Sequence, residues 1–168
     1  MSFSAAILTN GQDQTQEVGR VIGEQAQPGD ILLLTGPLGA GKTCLTQGIA
    51  SGLGVSGYVR SPTFVLTTRY QGRLTLHHMD LYRIGGPEEA WDLGLDEQLF
   101  GGGICIVEWA ERAAEIFPPE SMWTELDHVD SGDQRSISFI EWPDRYRAVL
   151  EQLSADYPSP QTSNEVKP

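Results

Sequence analysis

The chain has 168 residues, 39% of them hydrophobic, enough for one core on the usual scale of roughly 100–200 residues per domain and incompatible with disorder throughout. Eleven Lys and Arg against 23 Asp and Glu leave a formal net charge of −12, which argues against direct binding of nucleic acid and routes any RNA involvement through a partner. Cys44 and Cys105 lack metal-ligand spacing and disulfide density, and no stretch reads as a leader or approaches the roughly 18 apolar residues of a membrane span, so a cytoplasmic protein without membrane contact is expected.

Residues 4–9 read as an edge strand closed by Asn10 and Gly11, a pair that favours turns. A helix follows, with Thr15 as its N-cap and Val18, Ile22 and Ala26 along one face, until Pro28 and Gly29 stop it. Residues 31–34 form an unbroken apolar run flanked by glycines, the pattern of a strand buried on both faces of a parallel sheet. Leu45, Ile49 and Leu53 recur at every fourth position before Gly54, which predicts an amphipathic helix over 43–53. Residues 64–70 and 74–79 flank Gln71, Gly72 and Arg73 as the strands of a hairpin. A short helix is expected over 87–93, a second buried strand over 104–107 after three glycines, and a further short helix ending at Ile116. Residues 136–139 alternate as a half-buried strand should. Beyond Leu153 prolines and polar residues predominate, so 1–153 is expected as the domain and 154–168 as a disordered tail.

Gly36, Pro37, Leu38, Gly39, Ala40, Gly41, Lys42 and Thr43 fit G-x-x-x-x-G-K-T, set between the apolar strand and the amphipathic helix as that motif requires. Glycines let successive N–H groups turn inward as an anion nest at a helix N-terminus. Lys42, one of only two lysines in the chain, then reaches the β- and γ-phosphates of a nucleotide, and Thr43 offers its hydroxyl to Mg²⁺. The fold class that follows is α/β: a single-domain P-loop NTPase with a mainly parallel central sheet flanked by helices, plus antiparallel strands.

Phosphate chemistry also needs carboxylates at neighbouring strand ends, and Asp80 and Glu108 occupy those positions. Ser61, Pro62 and Thr63 lie in a loop after the second helix, where a threonine hydroxyl is able to sense a γ-phosphate. His78, two residues before Asp80, reads as an orienting or packing group more than as a metal ligand, and His77 has no assignment. Trp109 is either core or an exposed lid or partner contact, and Cys44 is a packing residue.

Together GPLGAGKT, the SPTF of 61–64, the HMDLYR of 78–83 and the EW of 108–109 resemble the bacterial TsaE (YjeE) ATPase family over about residues 15–140. The resemblance implies a small ATPase required for threonylcarbamoyl modification of adenosine 37 in tRNAs reading ANN codons. It implies ATP and Mg²⁺ as cofactors and the TsaB and TsaD subunits of the transferase complex as partners, with tRNA reached only through that complex. Because switch elements often complete their site only with a partner, turnover slow alone and stimulated by the partner dimer is expected. Carried onto this chain, Lys42 and Thr43 serve phosphate and magnesium, Asp80 and Glu108 the metal shell or the attacking water, and Thr63 and Trp109 belong to the site. Thr15 and Arg135 fall where the family places residues near the nucleotide. Ala110 departs from the proline that commonly follows the EW pair. A small-molecule kinase and a nucleotide-gated binding module with little turnover are the alternatives.

Overall fold

In the computed structural model, which describes residues 2–63, 66–130 and 132–160, the chain alternates strand and helix around one sheet. The elements are β1 (Ser2–Asn10), α1 (Gln12–Gln25), β2 (Ile31–Thr35), α2 (Lys42–Gly52), β3 (Thr67–Gln71), β4 (Thr75–Asp80), α3 (Pro87–Asp92), α4 (Leu95–Leu99), β5 (Ile104–Glu108), β6 (Met122–His128), β7 (Gln134–Pro143) and α5 (Arg147–Asp156). Seven strands lie in the order β1-β7-β6-β2-β5-β4-β3. The centre, β6-β2-β5-β4, is parallel, and β1, β7 and β3 add antiparallel edges. The expected α/β class with a parallel centre and antiparallel additions is therefore what the chain adopts.

The apolar run of β2 is explained by its position. Alternate residues of a strand face opposite sides of the sheet. Leu32 and Leu34 join one core with Val18 and Ile22 of α1 and Leu45 and Ile49 of α2, whereas Ile31 and Leu33 join a second core with Val107, Leu95 and Ala110. β5, buried at every position, is covered in the same way.

α1 and α2 approach closely because glycines meet at their crossing. A Cβ on Gly48 would lie 2.1 Å from the Gln16 carbonyl oxygen, and one on Gly19 would lie 2.4 Å from that of Leu45. This seam holds α2 against α1, and Leu45 and Ile49 of α2 join the core under the sheet face of Leu32 and Leu34.

Several expectations need correction. α1 starts at Gln12, with Gly11 at its cap, so Thr15 is not the N-cap. Gly11 caps α1 without a side-chain hydrogen bond; Gln14 Oε1 accepts from the Asn10 N–H at 2.8 Å, tying the helix to the end of β1, while the Thr15 hydroxyl is buried against that of Thr9 at 2.7 Å. The first hairpin strand begins at Thr67; Phe64 and Val65 lie outside the described residues. β6 and α4 were not expected at all. The boundary at Leu153 is too early, since α5 continues to Asp156, Tyr157 packs against the core, and Pro158 bridges Ile7. Residues 161–168 lie outside the described residues. Among the described residues no helix is long and apolar enough to cross a membrane.

Candidate functional site

β2 ends at Thr35 and α2 begins at Lys42; the loop between them carries positive φ at Gly36 (138°), Gly39 (77°) and Gly41 (105°). Gly36 has a second constraint. A Cβ there would lie 2.1 Å from the Leu126 carbonyl oxygen of β6, so the loop is wedged against the neighbouring strand. His128, at the end of β6, adds a contact from Nε2 to the Leu38 carbonyl oxygen at 3.2 Å. Ala40 is buried beneath the loop, whereas Leu38 stands out at its tip, 80% exposed.

Lys42 is buried, and its Nζ donates to the carbonyl oxygens of Gly36 at 2.6 Å and Pro37 at 3.0 Å. The same ammonium sits 4.1 Å from the centroid of the Trp109 ring, a cation–π distance. Burial pushes its pKa below the ordinary lysine value, and the nearby Glu108, Glu111 and Asp80 charges oppose that shift.

The two strand-end carboxylates are neighbours in the sheet. Asp80 of β4 is in register with Glu108 of β5, which is in register with Leu34 of β2, two residues before the loop. Both carboxylates are buried. Thr43 Oγ1, on the first turn of α2, donates to Glu108 Oε1 at 2.8 Å, and His78 Nε2 lies 2.5 Å from Glu108 Oε2. Asp80 Oδ2 accepts from the hydroxyls of Ser61 and of Thr63, the latter at 2.9 Å. Asp80 Oδ1 accepts from the Tyr82 N–H at 2.8 Å. A sparse sequence signal, two acids each at an expected strand end, thus becomes a hydrogen-bonded pair at the carboxyl ends of adjacent strands.

Trp109 leaves β5 with a left-handed φ of 57°, costly for a bulky residue and common where function constrains the backbone. That turn places its indole over Lys42 and 4.9 Å from the Tyr82 ring, with Arg112 lying across both aromatics. Ala110 follows it as a buried residue of the 3₁₀ segment Ala110–Ile116.

These groups line a cavity of about 420 Å³: Leu38, Gly39, Ala40, Gly41, Lys42 and Thr43 on one wall, Ser61, Thr63, Asp80 and Glu108 on another, and Tyr82 and Trp109 at the rim. Gln12, Cys44 and Tyr82 join the lining without having been anticipated. Tyr82 had a signal, an aromatic two residues after a strand-end acid; Gln12 and Cys44 had none beyond proximity to a turn and to the loop. Gly36 and Pro37 face Lys42 through their carbonyls and do not line the cavity. Thr15 and Arg135 are not in it either. They line a smaller hollow of about 80 Å³ beside the same loop, with Gly39, Gly41 and Cys44. Among the described residues no three His, Cys, Asp or Glu side chains converge as a metal-binding group.

The family model described as "Threonylcarbamoyl adenosine biosynthesis protein TsaE" matches residues 9–137. The protein of Bacillus subtilis called tRNA threonylcarbamoyladenosine biosynthesis protein TsaE is 42% identical over 147 residues, covering 87% of this chain and 91% of its own. The protein of the same name from Treponema pallidum is 39% identical over 127 residues, covering 76% of this chain and 94% of its own. Among solved structures, that of Bacillus subtilis YdiB superposes with a TM-score of 0.76 at 36% identity, covering 93% of this chain and 97% of that one. With most of the chain and the whole of the loop and carboxylate pair inside the matched region, the protein belongs to the TsaE family.

Proposed function

We propose that the protein binds Mg²⁺-ATP and hydrolyses it as the ATPase helper of the TsaB–TsaD transferase in making threonylcarbamoyladenosine 37 in tRNAs that read ANN codons. The relatives' shared name supports the pathway. The single observation that carries the ATPase reading is the wall-to-wall arrangement of the cavity, in which a glycine-rich loop with a buried lysine faces two buried carboxylates on adjacent strand ends.

The donor set fits the group. One threonine hydroxyl and one or two carboxylates, without a full cage of protein ligands, are what Mg²⁺ uses when nucleotide phosphates and water complete its octahedron. Thr43, Asp80 and Glu108 would hold it; bound there, it supplies neutralisation of phosphate charge. The chain's own residues do the rest. Lys42 moves its ammonium from the loop carbonyls to the anion. Asp80, held by three donors, and Glu108, held by two, keep fixed carboxylates beside it, and Thr63 is placed to follow a change at Asp80. Tyr82 and Trp109 shield the lysine from water at the rim.

ATP labelled in its γ-phosphate tests this reading. Label released as inorganic phosphate, faster with TsaB and TsaD present, is expected; label on a small acceptor would mean a kinase, and binding with no release would mean a nucleotide-gated module.

A further inference from the structure

The two oxygens of Glu108 are held unequally. Oε1 depends on the Thr43 hydroxyl, the group that the proposed function directs to a metal; Oε2 depends on His78. His78 is wholly buried on β4, in register with Ile106 of β5, and so stands on the same sheet face as Asp80 and Glu108, the face covered by α2. Among the described residues its other ring nitrogen, Nδ1, has no hydrogen-bond partner. An unpaired buried polar atom is destabilising, and an apolar side chain of similar shape would avoid that cost. The one bond the ring does make goes to a carboxylate of the site.

Building on that reading, we propose that His78 is a positioning residue. Its Nε2–H donates to Glu108 Oε2 and holds the carboxylate in one rotamer when Thr43 turns its hydroxyl away. An ionised carboxylate only accepts, so a ring proton sits on Nε2. The bond locks the site's geometry and takes no part in proton transfer to substrate.

Three variants test this. In His78→Gln the side-chain amide nitrogen takes the place of Nε2, in His78→Asn it takes the place of Nδ1, and His78→Leu has none. The expected result is a fall in kcat of roughly 10–100-fold for Asn and Leu with KM and nucleotide affinity held, and recovery of most of the rate in Gln. A leucine variant as fast as the parent, or a common loss in all three with raised KM, would overturn the assignment; if the leucine variant fails to fold, the Gln and Asn pair decides. Two-bond ¹H–¹⁵N correlation spectra of the unmodified protein give a reading independent of turnover. Nε2 protonated in His78, with the resonance moved by Glu108→Gln, is expected, and a bare Nε2 would overturn it. Absence of ATP hydrolysis by the unmodified protein even with TsaB and TsaD would sink the proposed function alone, leaving the spectra to decide the role of His78.

Discussion

Lys42 and Glu108 line one cavity and are expected to fail differently when removed. Lys42→Ala deletes the cation of the loop and leaves two carbonyls without their donor; isothermal titration calorimetry is expected to show ATP affinity weakened by at least about tenfold. Glu108→Ala leaves the loop intact, so binding persists while turnover falls by about 10²-fold or more in single-turnover measurements. Both residues were legible from sequence because their chemistry is tied to fixed positions in a strand–loop–helix pattern. The stacking of Trp109 on Lys42 was not, because it depends on a left-handed turn after β5 that no local rule requires of a tryptophan. Cys105 behaves as a buried hydrophobe. Burial raises its pKa from 9.0 to about 12, and its Sγ donates to the Gln98 carbonyl at 3.1 Å. Because the folded value lies above the unfolded one, the stability it contributes is complete below about pH 9 and is lost as pH climbs toward 12, at about 1.4 kcal/mol per unit. Denaturant melts at pH 8 and pH 10.5 are expected to show a smaller pH-dependent loss in Cys105→Ala than in the parent.

At the scale of elements, the crossing of α1 and α2 holds in place the helix that follows the loop. Gly48→Ala would drive a methyl group to 2.1 Å from the Gln16 carbonyl oxygen, and the helices have to part to admit it. A loss of roughly 1–3 kcal/mol is expected despite the better helix propensity of alanine, read as a fall of several degrees in Tm. Sequence periodicity found both helices but not this seam, because a helix-interior glycine registers only as a weak propensity. β2 and β5 were legible as apolar runs because both their faces are covered. β6 was not. Its buried Met122, Thr124 and Leu126 alternate with Trp123, Glu125 and Asp127, and the mixture of ring, hydroxyl and charge dilutes a period that the pairing with β2 and β7 makes plain. α1 begins at Gln12 and not after Thr15 because Gly11 stands at its cap without a side-chain hydrogen bond, leaving no capping side chain to mark the start.

The whole molecule closes on itself at its C-terminal end. The Leu8 N–H donates to the Tyr157 carbonyl at 3.1 Å, and Tyr157 covers part of the core. A chain cut after Leu153 is therefore expected to lose about 1–3 kcal/mol relative to one cut after Pro160, measured by urea unfolding, although composition alone reads the whole stretch as a disordered tail. Acidity runs over the molecule while apolar side chains gather at the mouth of the cavity, Leu38 at 80% and Tyr82 at 45% exposure. Such a mouth suits a protein partner, and under the proposed function a rate unchanged by TsaB and TsaD would remove that role. The latch formed by Lys42, two main-chain oxygens and an indole has a consequence for selectivity. An anion bearing a single phosphate must displace three contacts with one group, whereas a polyphosphate brings several oxygens to the same ammonium at once. Under the proposed function the resting lysine thus sets a threshold that favours a polyphosphate over orthophosphate or sulfate.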